Sequence, residues 1–126
     1  MNIGFIGTGL MGSPMIKNLL KSKHQISIFN RTITKAKKLK KYGAYLSYKI
    51  DELVKDKEII ITMLTDDKAV NDIIRSKTFL NNVCKETTVI DMSSTKPSTA
   101  LDNYKTLKKK RSLLFRCPSI RRDQRR

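Results

Sequence analysis

The feature that most constrains the fold is a set of three glycines at the start of the chain. An apolar run at residues 3–6 has the character of a buried strand, and a helical pattern covers residues 10–20. Between them, Gly7, Gly9 and Gly12 have the spacing G-x-G-x-x-G. In such a unit the first glycine allows a tight turn, the second a close approach to pyrophosphate, and the third close helix–strand packing. The stretch therefore predicts a dinucleotide-binding loop, with phosphates at the helix N-terminus.

The rest of the chain alternates between strand-like and helix-like segments. Strands are predicted at 2–6, 25–29, 44–46, 58–64 and 87–91, and helices at 10–21, 34–41, 49–55, 66–74, 79–83 and 97–110. The links are short, and strands joined by crossover helices run parallel. We therefore expect an α/β fold with a Rossmann-type doubly wound, mainly parallel sheet. The 126 residues suit one domain.

The segment after the second strand indicates which dinucleotide is bound. About 20 residues after the glycines, this fingerprint has an acidic residue that accepts a hydrogen bond from the ribose 2′-hydroxyl of NAD. Here the position is Asn30, followed by Arg31 and Thr32, with Lys35 one helical turn farther on. These groups donate to a phosphate where a carboxylate would repel it. The segment favours NADP(H), with NAD as the alternative cofactor; the competing interpretation is a turn with a helix cap at Thr32.

Several motifs in register resemble one enzyme family. They are GFIGTGLMGSPMIKNLL, FNRT, KAKKLKKYGA, IIITMLTDDKAV and VIDMSSTKPST, spread over residues 1–110. The chain resembles the N-terminal cofactor-binding domain of the β-hydroxyacid dehydrogenases. That family includes 3-hydroxyisobutyrate dehydrogenase, tartronate semialdehyde reductase, glyoxylate reductase and 6-phosphogluconate dehydrogenase. The resemblance implies hydride transfer between NADP(H) and a small β-hydroxyacid or its semialdehyde.

The resemblance also implies the remaining site residues. The glycine loop contributes Thr8, Leu10 and Met11; the loop after the fourth strand contributes Met63, Leu64 and Thr65; and the loop after the fifth contributes Ser94 and Thr95. The second loop would lie against the nicotinamide-side ribose and the third beside the nicotinamide and substrate. Ordinary core packing is the alternative for Met63 and Leu64, and helix capping is the alternative for Ser94 and Thr95. No metal-ligand or catalytic constellation stands out.

The last sixteen residues follow a different compositional rule. The net charge is +16, and six of the eight arginines lie after residue 110. Three lysines and Arg111 can be encoded by AAA AAA AAA AGG. With permitted codons for the remainder, deleting one adenine makes the following bases encode GVYFFDAPVSGGTKG, which restores the substrate-binding segment that the family carries here. We therefore hypothesise a cofactor domain at 1–110 and a frameshifted basic tail at 111–126. The rival hypothesis is a non-catalytic dinucleotide-binding module whose arginine-rich tail binds nucleic acid.

These hypotheses set the expectations for the chain as a whole. The family's catalytic lysine and asparagine and its substrate serine lie beyond the matched stretch, so we expect cofactor binding without turnover, from a truncated domain. A hydroxyacid substrate is expected only for the intact protein, nucleic-acid binding is disfavoured, and the chain is expected to be a monomer or to aggregate. Leu113, Leu114 and Phe115 are compatible with an added edge strand. No apolar run approaches membrane-spanning length and no leader is evident, so a cytoplasmic location is expected.

Overall fold

The computed structural model describes residues 1–109 and 113–116 of the chain. The strands are β1 Asn2–Ile6, β2 Gln25–Phe29, β3 Tyr45–Leu46, β4 Ile59–Thr62, β5 Thr88–Asp91 and β6 Leu113–Arg116. The helices are α1 Gly12–Lys21, α2 Ile33–Lys37, α3 Ile50–Val54, α4 Asp67–Ile74, α5 Lys77–Asn82 and α6 Pro97–Lys109. A 3₁₀ turn at Lys40–Tyr42 extends α2.

The six strands form one sheet with the order β3-β2-β1-β4-β5-β6, and every neighbouring pair is parallel. This is the strand order of the Rossmann fold, so the predicted fold class is confirmed. The order reverses between β1 and β4. The crevice outside the carboxyl ends of these two strands is therefore the expected ligand position.

The alternation of side chains along each strand divides the core into two layers. On one face, Phe5 of β1 packs with Ile16 of α1 and Leu39 after α2. On the other face, Ile6 packs in a cluster that also holds Val70 of α4 and Phe79 of α5. Both layers are buried because a parallel sheet has helices on its two faces. The packing of helices on both faces of the sheet fixes the positions of the strand ends at which the candidate site lies.

Several element boundaries differ from the sequence prediction, and two of them affect the site. The first helix begins at Gly12 rather than residue 10, because Leu10 and Met11 remain in the turn that leaves the strand. The fourth strand ends at Thr62, so residues 63 and 64 already belong to the loop. The 3₁₀ turn after α2 ends at Gly43, whose φ of +103° is in the left-handed region that favours glycine. The site loops are thus slightly longer than the sequence indicated.

The tail contributes a strand, as its apolar residues suggested. The backbone of β6 pairs in parallel with β5, with Thr88 opposite Leu113 and Asp91 opposite Arg116. The remainder of the tail, residues 110–112 and 117–126, lies outside the described residues. Within the described residues, no helix combines the length and apolar content that a membrane crossing requires.

Candidate functional site

The three glycines of the loop are distinguished by what surrounds them. A Cβ on Gly7 would lie 2.1 Å from the Met63 carbonyl oxygen, and one on Gly12 would lie 2.2 Å from the Gly7 carbonyl oxygen. A Cβ on Gly9 would meet no atom within 4 Å. Gly7 and Gly12 are therefore required by the packing of the protein itself. The space at Gly9 is left open on the side where a ligand would approach.

Thr8 and Asn30 join the two loops at the edge of the crevice. The Thr8 backbone N–H donates to Asn30 Oδ1 at 3.2 Å, and Asn30 Nδ2 donates to the Thr32 carbonyl at 2.9 Å. Thr8 is 4% exposed, and its Oγ1 has no hydrogen-bond partner among the described residues. Because buried hydroxyls are nearly always paired, this orphaned group fits a site completed by a ligand.

The N-terminus of α1 directly follows the same loop. Its first turn contains no acidic residue, and the N-cap residue Met11 forms no side-chain capping bond. Leu10 is 95% exposed and Met11 is 63% exposed. An uncapped N-terminus with its positive dipole end uncompensated is suited to an anionic group such as a pyrophosphate. Together with Gly9 and Thr8, it shows that the residues present fit a dinucleotide.

A cavity of about 250 Å³ opens at the carboxyl ends of β1, β2 and β4. Nine of the predicted site residues line it: Gly7, Gly9, Asn30, Arg31, Thr32, Lys35, Met63, Leu64 and Thr65. The remaining lining includes Ala69, Asp72 and Ile73 of α4, which the sequence prediction missed. Their spacing of three and four residues places them on one face of the helix after the fourth strand, and this pattern could have identified them from the sequence. We call this space the cofactor cavity.

A second, more open cavity adjoins it and shares two of its residues, Gly9 and Lys35. Its volume is about 520 Å³, and it lies between α1 and the α2 segment. The lining is Thr8, Gly9, Leu10, Ser13, Pro14, Lys17, Lys35, Lys38, Leu39, Lys41 and Tyr42. We call it the lysine groove. The sequence prediction had placed Thr8, Leu10 and Lys35 at the dinucleotide but had not recognised the groove.

One ionisable group in the lysine groove is perturbed. Lys17 Nζ lies 4.5 Å from the centroid of the Tyr42 ring, and Lys41 Nζ lies 5.2 Å from it. A hydrogen bond from Lys17, followed by the charges of Lys17 and Lys41, holds the pKa of Tyr42 below its ordinary value. The cause is that nearby cations stabilise the phenolate. The shift reports a strongly positive local environment.

The loops after β4 and β5 are tied together by buried polar groups. Ser93 is fully buried, and its hydroxyl accepts a hydrogen bond from the Leu64 backbone N–H at 2.8 Å. Asp91 Oδ1 accepts from Thr62 Oγ1 at 2.9 Å and from the Ser93 N–H at 3.0 Å. This network positions the two loops at the crevice, and the sequence prediction had not assigned it a role.

The other predicted residues are distributed around this crevice. Ser94 is exposed and Thr95 is buried in the loop after β5, and Met11 and Gly12 lie at the start of α1. These four do not line either of the two described cavities. Two predicted helix caps differ in the structure. Asp66 caps α4, since its side chain accepts a hydrogen bond from the Ala69 N–H, whereas Thr32 at the N-cap of α2 forms no side-chain capping bond. The Thr32 hydroxyl therefore remains available to a ligand.

Comparison with known proteins identifies the family. Residues 2–119 match the NAD-binding domain of 6-phosphogluconate dehydrogenase. The chain belongs to this family. It is an NAD(P)-binding Rossmann domain of the type found in 3-hydroxyisobutyrate dehydrogenase-like oxidoreductases.

Similar proteins include two curated relatives and one solved structure. Glyoxylate/succinic semialdehyde reductase 1 of Arabidopsis thaliana is 34% identical over 80% of this chain and 35% of its own length. The mitochondrial 3-hydroxyisobutyrate dehydrogenase of Drosophila melanogaster is 36% identical over 86% of this chain and 32% of its own length. The Mycobacterium tuberculosis 3-hydroxyisobutyrate dehydrogenase structure superposes with a TM-score of 0.87 at 26% identity, covering 93% of this chain and 40% of that one. The chain thus spans about a third of the length of the curated relatives it matches.

Proposed function

We propose that this domain binds NADP(H) in preference to NAD(H), in the cofactor cavity. The observation that carries the proposal is the composition of the end of β2, where an amide and cationic groups stand in place of a carboxylate. Asn30 is held by Thr8 and Thr32, while Arg31 and Lys35 are exposed on the wall of the same cavity. A guanidinium and an ammonium favour a 2′-phosphate, and residues 30–49 contain no acidic side chain to oppose it; the cavity residue Asp72 lies on the α4 wall.

The remaining contacts of the cofactor follow from the chemistry of the lining. The open space at Gly9 and the uncapped start of α1 would accommodate the pyrophosphate. The orphaned Thr8 hydroxyl would donate to a phosphate or ribose oxygen. The α4 wall supplies Ala69 and Ile73 as apolar contacts for the adenine, with Asp72 as an acceptor for its amino group.

For the whole protein, we propose the transfer of a hydride between NADP(H) and a small β-hydroxyacid or its semialdehyde. When bound, the nicotinamide supplies or accepts the hydride. The curated relatives that support this class are a glyoxylate/succinic semialdehyde reductase and a 3-hydroxyisobutyrate dehydrogenase. For the 126-residue chain alone, we propose cofactor binding without turnover.

The cofactor preference is tested by exchanging the amide at the end of β2. In Asn30→Asp, the carboxylate still accepts from the Thr8 N–H but cannot donate to Thr32, and it repels a 2′-phosphate. We expect the ratio of the dissociation constants for NADP+ and NAD+ to move toward NAD+ by at least tenfold, or about 1.4 kcal/mol. The measurement is isothermal titration calorimetry with both cofactors. The matched control is Asn81→Asp, an equal charge change at an exposed position of α5.

An unchanged ratio in Asn30→Asp, or an equal change in Asn81→Asp, would remove the basis for the NADP assignment. The inactivity of the chain alone has a separate test. The purified chain should not oxidise NADPH in the presence of succinic, methylmalonic or tartronic semialdehyde. Measurable turnover that depends on the chain would show that its own residues suffice for the chemistry.

A further inference from the structure

The positive charge of the described residues is concentrated in one half of the fold. Residues 1–50 contain nine lysines and one arginine, and none of the eleven acidic residues of the chain. Residues 51–109 contain ten basic and ten acidic residues. The excess positive charge of the described domain thus belongs to the β1-α1-β2-α2-β3 half. This asymmetry is independent of the arginine-rich tail.

Four of these ten basic residues line the lysine groove. Lys17, Lys35, Lys38 and Lys41 line it, and its lining contains no acidic residue. Among the described residues, the ion pair that the structure shows joins Arg75 to Asp102, which belong to the balanced half of the chain. The four ammonium groups are therefore not neutralised by carboxylates of the described domain. Like charges that line one groove repel one another, and a bound anion would offset that repulsion.

Three of these lysines form a regular row along one wall. The backbone is helical from α2 into the 3₁₀ turn, with hydrogen bonds from the Leu39 N–H to the Ala36 carbonyl and from the Tyr42 N–H to the Leu39 carbonyl. Lys35, Lys38 and Lys41 are spaced three residues apart, which places them on one face at intervals of about 5 Å. Lys17 of α1 stands on the opposite wall against Tyr42. A row of charges facing a fourth charge is suited to an extended anion rather than to one isolated phosphate.

We propose that the end of the lysine groove formed by Lys17, Lys38 and Lys41 is a second anion site, beside the glycine loop that would hold the cofactor's phosphates, and that it binds a compound carrying a linear chain of phosphate groups. The groove's volume of about 520 Å³ falls within the range of small-ligand sites. Leu10, Pro14 and Leu39 add apolar lining, so a nucleoside triphosphate and an inorganic polyphosphate share the required chemistry. Gly9 and Lys35 belong to both cavities, so the two ligands would be bound side by side.

The experiment measures binding of inorganic tripolyphosphate and of ATP to the full 126-residue chain by calorimetry, with and without saturating NADP+. The variant Lys17→Gln/Lys38→Gln/Lys41→Gln removes three groove charges and leaves Lys35 in the cofactor cavity. We expect both probes to bind the unaltered chain and to bind the variant at least about tenfold more weakly, since three exposed ion pairs are lost. Equal binding of the two probes would assign the site to the phosphate chain, and tighter binding of ATP would assign it to a nucleotide.

A matched control separates the groove from net charge. Lys55→Gln/Lys85→Gln/Lys105→Gln makes the same charge change at exposed lysines outside the groove and should retain binding. If the triple groove variant unfolds by circular dichroism, Lys38→Gln/Lys41→Gln keeps the Lys17–Tyr42 contact and should still weaken both probes.

Several outcomes would overturn the proposal. One is equal weakening in the groove and control variants, and another is complete loss of probe binding on adding NADP+, which would mean a single shared site. A third is tight binding of a single-stranded oligonucleotide with no measurable binding of either probe, which would indicate a nucleic-acid surface. Because the probes are also titrated without NADP+, a failure of the proposed cofactor preference would leave this test intact.

Discussion

At the scale of single residues, the three glycines of the loop have different physical roles. A Cβ on Gly7 would lie 2.1 Å, and one on Gly12 2.2 Å, from a backbone carbonyl oxygen, and Gly7 has a φ of +107°. Gly9 has neither constraint. The packing of the protein therefore requires two of the glycines, whereas it leaves room for a side chain at the third.

This difference predicts opposite phenotypes for two alanine variants. Gly12→Ala should lower the free energy of unfolding by about 1–3 kcal/mol, because its methyl group overlaps the Gly7 carbonyl. Gly9→Ala should fold as well as the unaltered chain or gain about 0.4–1 kcal/mol from reduced unfolded-state entropy. It should nevertheless lose most of its affinity for NADP+, because the methyl group fills the open space. Urea unfolding of both variants measures the free energy of unfolding, and calorimetric titration measures their affinity for NADP+. An unchanged affinity in Gly9→Ala would contradict the prediction.

At the scale of elements, the site depends on loops that follow different strands and are held by a few hydrogen bonds. Asn30 connects the β1–α1 loop to the β2–α2 loop, and Ser93 connects the β5–α6 loop to the β4–α4 loop. Parallel strands bring these loops to one edge of the sheet, but the bonds between loops set their distance. Of the two adjacent serines after β5, the buried one has this structural role and the exposed one faces solvent.

The adjacent serines give a matched pair of variants. Ser93→Ala leaves the half-buried Leu64 N–H without its acceptor and should cost about 1–3 kcal/mol in the free energy of unfolding. Ser94→Ala changes an exposed side chain and should stay within about 0.5 kcal/mol. Chemical denaturation of the two variants measures the difference. Equal stabilities would show that the Ser93 bond does not hold the loops.

At the scale of the whole molecule, the sheet extends into the segment of unusual composition. The backbone of β6 occupies the sixth position of the strand order, and the family match runs to Ser119. We propose that residues 111–126 are nevertheless read in a shifted frame, because permitted codons exist with which one adenine fewer would encode a family segment at this point. The shifted glycine codons GGA and GGG would also account for the concentration of arginine in the tail.

Sequencing the gene across the codons for residues 108–111 tests this proposal directly. We expect a run of adenines there, and we expect that removing one base opens a continuous frame beginning with a segment like GVYFFDAPVSGG. If the shifted frame meets a stop codon or has no such segment, the tail is the genuine sequence. In that case, deleting 111–126 and measuring salt-dependent RNA binding would test the rival hypothesis of a nucleic-acid arm.

The sequence by itself determined the elements and the location of the crevice. Periods of two and of 3.6 residues, with glycines at strand ends, are local signals, and they predicted the parallel sheet and the glycine loop. The loop residues Met63, Leu64 and Thr65 were implied by the resemblance to the family. Boundaries such as the start of α1 were less well predicted, because Leu10 and Met11 carry a helical pattern but remain in the turn.

Only the tertiary structure decided which of these residues are fixed by contacts within the protein and which are open to a ligand. Gly12 differs from Gly9 because a Cβ there would strike the Gly7 carbonyl, and Ser93 differs from Ser94 because it accepts a hydrogen bond from the loop after β4. The lysine groove depends on the packing of α1 against the α2 segment, which brings Lys17 next to Tyr42 although they are far apart in the chain. Such contacts are set by the three-dimensional packing of the layers, and no local pattern of residue types encodes them.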